Sequence, residues 1–91
     1  MTVLLVTYDL KKPGQKYEEF YKVIKSHTWA RLSESSYAVV TTETPKAIYT
    51  KLSPHIDKDD QLFVMALVNN WWGRASTQSP EVMEWLQKHL P

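Results

Sequence analysis

The apolar positions change period along the chain, and each change marks an element. Val3, Leu4, Leu5 and Val6 form a continuous run closed by Thr7, Tyr8 and Asp9, the pattern of a central strand buried on both faces. Lys11-Lys12-Pro13-Gly14 then reads as a turn, because proline presets φ and glycine tolerates a positive one. From Gln15 the period becomes helical. Tyr17, Phe20, Tyr21 and Ile24 stand at i, i+3, i+4 and i+7, with Lys16, Glu18, Glu19, Lys22 and Lys25 facing water, and the helix is expected to end near His27. Thr28 to Thr42 holds neither glycine nor proline and is rich in β-formers, which predicts two short strands around a reversal near Ser33 to Ser35. Thr44 reads as an N-cap with Pro45 at the first helical position. Ile48 and Leu52 share one face of that helix, and Pro54 helps to close it. Asp57 to Asp60 is an acidic loop, and the apolar run Leu62 to Val68 has strand length. Ser79-Pro80-Glu81 reads as a cap, a proline and a first-turn carboxylate, followed by the stripe Val82, Leu86, Leu90.

With right-handed crossovers, this order predicts an α+β, ferredoxin-like βαββαβ antiparallel sheet with helices on one face plus a C-terminal helix. The whole chain, 1–91, is expected to form a single domain with its core in 2–70 and the last helix in 79–90. The strand order would be 4-1-3-2, leaving the last strand at an edge. An apolar edge strand is a template for pairing, so it is either covered by the C-terminal helix or used in a homodimer, the arrangement expected here. Trp71 and Trp72 are neighbours, and neighbours along an extended chain point to opposite faces, so both rings cannot enter one core. One is left for solvent, a partner chain or a ligand: a nucleic-acid base stacked on it is one reading, and packing against Trp85 or a second subunit is the simpler one.

Composition narrows the classes without choosing among them. The chain has 43% hydrophobic and 23% charged residues, a globular balance. With no cysteine it can form neither disulfides nor a thiolate metal site, so a cytoplasmic location is expected. The opening residues lack a basic leader and a cleavage site, and no segment approaches spanning length, so no membrane association is expected. A formal net charge of +1 gives no bulk pull toward nucleic acid, so any such binding needs a local patch.

Asp9, at the end of a central strand, is the candidate ligand for a hard divalent cation. One carboxylate is not a magnesium site, but a two-fold axis would bring two copies together. A turn aspartate paired with Lys11 or Lys12 is the simpler alternative. Lys11, Lys12, Lys16 and Arg31 can form a phosphate-binding patch, or a solvated face balanced by Glu18, Glu19 and Glu34. Ser33, Ser35 and Ser36 lie in no nucleophile motif, and His27, His55 and His89 sit at the ends of different helices, where the helix dipole accounts for them. Two glycines, Gly14 and Gly73, exclude a glycine-rich phosphate loop.

The strand Leu4-Leu5-Val6-Thr7-Tyr8-Asp9-Leu10, the hairpin Arg31 to Val40 with Ser36-Tyr37-Ala38-Val39, and a fourth strand after Asp59-Asp60 together resemble the small CRISPR-associated nuclease superfamily. That superfamily comprises the second Cas protein, the virulence-associated protein D toxins, and free-standing bacterial and phage relatives sometimes labelled SinR-family. The Asp-Leu-Lys-x-Pro-Gly-Gln opening is most similar to the free-standing members, and the likeness covers roughly residues 2 to 70. Lysines follow the aspartate where arginines are frequent, and a Trp-bearing helix closes the chain.

The resemblance implies a homodimer in which paired Asp9 residues hold magnesium or manganese, with Tyr8 beside them in the catalytic cleft. It assigns Lys11, Lys12, Arg31 and Tyr37 to nucleic-acid binding, and Lys16 joins them through the basic patch. The expected function is a metal-dependent endonuclease, RNA before DNA. A non-catalytic nucleic-acid-binding or protein-interaction module of the same fold is the alternative.

Overall fold

The computed structural model describes residues 1–11 and 17–91. Its elements run β1 (Thr2–Asp9), α1 (Glu18–Lys25), β2 (Thr28–Ser33), β3 (Ser36–Thr41), α2 (Pro45–Leu52), a short 3-10 turn (Ser53–His55), β4 (Gln61–Leu67) and α3 (Glu81–His89). The strands form one four-stranded sheet in the order β2-β3-β1-β4, with every pairing antiparallel. Beyond Lys11, the predicted turn and the start of the first helix at Gln15 and Lys16 lie outside the described residues.

Side-chain alternation along β1 builds a core on each face. Leu4, Val6 and Tyr8 point to one side, where Phe20 and Ile24 of α1 and Ile48 and Leu52 of α2 cover them. Val3 points to the other side and joins Ala38 and Leu90, with Trp71, Trp85 and Leu86 packed around them. The C-terminal helix therefore lies on the face opposite α1 and α2. The outer edge of β4 has no strand partner among the described residues.

Local signals account for most boundaries. Thr44 caps α2 through its hydroxyl, which accepts from the Ala47 N–H at 3.1 Å, and Pro45 follows in the first turn. The reversal between β2 and β3 is tightened by a 2.6 Å hydrogen bond between the Ser33 and Ser36 hydroxyls. The expected Ser79 cap is corrected: Pro80 occupies the N-cap position and no side chain caps the helix. Its first donors instead turn back to nearby carbonyls, Val82 N–H to Ser79 O and Met83 N–H to Pro80 O, each at 3.2 Å. This tight i→i+3 pattern satisfies the helix entrance without a side-chain cap. Among the described residues no helix is long and apolar enough to cross a membrane.

Glu43, in the turn before α2, ties three elements. It pairs with Lys51 at the end of α2 and with His27 after α1, the latter at 3.4 Å. Lys51, and after it His27, hold the Glu43 carboxyl below its usual value of 4.5. A depressed folded pKa means stability that is present above 4.5 and is lost as pH falls through the lower folded value. Glu43→Gln is therefore expected to be less stable than the wild type at neutral pH, with the difference closing in acid. Urea unfolding at a series of pH values reads this directly, and a gap that stays constant into acid would refute the assignment.

Candidate functional site

Asp9 is the last residue of β1 and lies in register with Gln61 of β4. On the same face, Thr7 faces Phe63 and Leu5 faces Met65. α3 leaves part of this face open, so that Phe63 is 51% and Met65 49% exposed. The Asp9 carboxylate accepts from the Lys11 ammonium at 2.5 Å, with both side chains about half exposed. The carboxylate holds Lys11 above its ordinary pKa, so the lysine is a cation at any working pH. Asp9 thus already acts as a cation acceptor, and the pairing with Lys11 is the simpler role foreseen for it. Among the described residues no cluster of three or more His, Asp or Glu side chains converges as a metal site.

Close to Asp9, Asp60 performs a task that the sequence reading did not single out. Its carboxylate accepts from the Lys11 backbone N–H at 2.7 Å, the Tyr17 hydroxyl at 3.2 Å and the Asp57 N–H at 2.8 Å. Asp60 thereby ties both Lys11, two residues after Asp9, and Tyr17, just before α1, to the loop that precedes β4. An acidic loop in sequence gives no sign of this, because the partners lie 43 and 49 positions away.

Tyr8, Tyr37 and Arg31 gather on the opposite face. The Tyr8 ring packs edge-on against Phe20 at 5.0 Å and is stacked with Tyr37 at 6.4 Å. Burial, followed by a hydrogen bond with Tyr21, pushes the Tyr8 phenol far above its ordinary range. It stays neutral at working pH and offers no phenolate; what it can supply is packing. Arg31 stands opposite Tyr37 on β2 and donates from Nε to the Ser33 carbonyl at 3.2 Å. With Glu18, Tyr21, Lys22, Lys25 and Tyr37 it lines an open groove of about 570 Å³.

The expected patch of Lys11, Lys12, Lys16 and Arg31 is therefore divided. Lys11 binds Asp9 on one face, Arg31 belongs to the other, and Lys12 and Lys16 lie outside the described residues. Lys22 and Lys25 stand beside Arg31 instead. Helical spacing carries the signal that finds them, since Glu18, Lys22 and Lys25 fall at i, i+4 and i+7 on one stripe of α1.

The paired tryptophans separate as extended-chain geometry requires. Trp71 packs under α3 and donates its indole N–H to the Leu90 carbonyl at 2.6 Å, while Trp72 is fully exposed. Of the histidines, His27 pairs with Glu43 and His89 packs on Trp85 with 4.5 Å between ring centroids. No protein-family model matches the chain, and no curated protein matches it at a significant level.

Proposed function

We propose that this protein is a metal-dependent endonuclease, acting on RNA in preference to DNA, built as a homodimer of ferredoxin-like protomers in the cytoplasm. The observation that supports it is the place of Asp9: an accessible carboxylate at a strand end, on a sheet face whose apolar Phe63 and Met65 are half exposed. A second copy laid over that face and the free β4 edge would remove this apolar surface from water and set two Asp9 carboxylates near one axis. Trp72 is available to the same contact. The affinity to the small CRISPR-associated nuclease superfamily belongs to the same proposal.

The donor chemistry fits magnesium or manganese. Asp9 offers hard oxygen at a half-exposed position that admits water, which these ions retain, and a metal there would displace the Lys11 ammonium. Such a metal supplies a water acidified toward neutral pH and positive charge against the phosphate. The residues that would hold such an ion are the two Asp9 side chains of the dimer. Lys11, released from Asp9, donates hydrogen bonds to the phosphodiester, and the neutral Tyr8 keeps the end of β1 rigid through its packing.

The alternative reading, a non-catalytic binding module, is favoured by the Asp9–Lys11 ion pair, which leaves the carboxylate a structural partner in the single chain. Manganese binding measured together with molecular mass separates the two. The nuclease reading expects a dimer holding manganese at one ion per two chains, with the binding lost in Asp9→Asn. Binding that is absent, or equal in both proteins, would leave the binding module.

A further inference from the structure

We infer that the groove between α1 and β2, lined by Tyr21, Lys22, Lys25, Arg31 and Tyr37, is a binding track for the phosphodiester backbone of single-stranded nucleic acid. The groove lies on the face of the sheet opposite Asp9, so the inference goes beyond the proposed function and does not rest on it.

Charge is the first ground. Three cations and one carboxylate, Glu18, line the groove. Among the described residues no acid pairs with Arg31 or Lys25, and Lys22 reaches Glu19 only at 3.8 Å on an exposed surface. Such a surface pair is worth little, so the three positive charges remain available to a polyanion. In a chain whose net charge is only +1, three cations gathered along one groove are the local patch that nucleic-acid binding would need.

Geometry is the second. Arg31 projects from a strand, and its Nε is fixed on the Ser33 carbonyl at 3.2 Å. That leaves the two terminal nitrogens as a held fork, the form in which arginine takes two phosphate oxygens. Lys25 lies 5.1 Å over the Trp29 ring, which keeps the ammonium beside the groove without neutralising it. Trp29 is itself 40% exposed and packs edge-on against Tyr37. An open basic groove next to an exposed aromatic plane is how proteins hold single strands, with cations on the backbone and a ring for a base. A small enclosed anion is not what an open channel selects.

The test is fluorescence anisotropy of a labelled oligouridine and a labelled single-stranded DNA, in chelator, across about 50 to 200 mM salt. Three backbone contacts predict that log affinity falls against log salt with a slope of about −2, since each contact on a single strand contributes roughly 0.7. Lys25→Ala and Arg31→Ala are each expected to weaken binding about tenfold and to reduce that slope by roughly 0.7, with circular dichroism unchanged. Lys88→Ala, on α3, serves as the control for a lost surface charge. Salt-independent binding, equal loss in Lys88→Ala, or equal affinity for duplex DNA would overturn the inference. Because the chelator removes metal, failure here leaves the Asp9 reading standing, and failure of metal-dependent cutting leaves this one standing.

Discussion

Replacing Phe20 with alanine is expected to destabilise the fold by about 3–5 kcal/mol, the range for deleting a buried aromatic ring. Phe20 has no exposed surface and joins α1 to β1 through an edge contact with Tyr8 at 5.0 Å. It also lies 5.4 Å from the ring of Tyr21, so its loss opens a cavity beneath two further aromatics. Small domains have only about 5–15 kcal/mol of total stability, and the variant would be largely unfolded in mild denaturant. Urea titration followed by tryptophan fluorescence measures the shift. A loss below about 1 kcal/mol would mean that the core can refill the space, contrary to a packed aromatic cluster.

The second large effect concerns activity. Asp9→Asn preserves the shape of the side chain and removes its charge, so metal-dependent cleavage is expected to fall by at least about a hundredfold. Stability should change little, because the interaction lost is a half-exposed ion pair with Lys11. That separation of effects makes the variant informative. A protein that folds as the wild type does and no longer cuts has lost chemistry, not structure.

Much of the architecture was legible because period-two and helical patterns are local. The run at Val3 to Val6, the stripe Tyr17 to Ile24 and the Thr44-Pro45 cap each translated into the element expected of them. Where α3 would pack was not legible. Leu86 and Leu90 announce an apolar stripe, but the sheet face it covers depends on Val3 and Ala38, far away in the chain. The clasp of Asp60 on Lys11 and Tyr17 was hidden for the same reason.

The candidate site was legible residue by residue more than as a constellation. Alternation separates the rings of Trp71 and Trp72, one packed and one in water. The same rule separates Tyr8 from Asp9, since adjacent strand residues face opposite sides. Tyr8 accordingly belongs to the aromatic core, while Asp9 belongs to the open face with Phe63 and Met65. The split of Lys11 from Arg31 follows from strand register, which sets Arg31 opposite Tyr37 and which composition does not encode. In sequence Lys22 and Lys25 are an ordinary solvated helix face; their role beside Arg31 depends on β2 packing next to α1, which is a long-range feature.

The most direct test of the proposed nuclease is the cleavage of labelled single-stranded RNA and duplex DNA by the wild type and Asp9→Asn, each with and without magnesium or manganese. Cutting by the wild type that requires metal, prefers RNA and disappears in the variant is the expected result. No cutting, or equal cutting by both proteins, would contradict a catalytic Asp9.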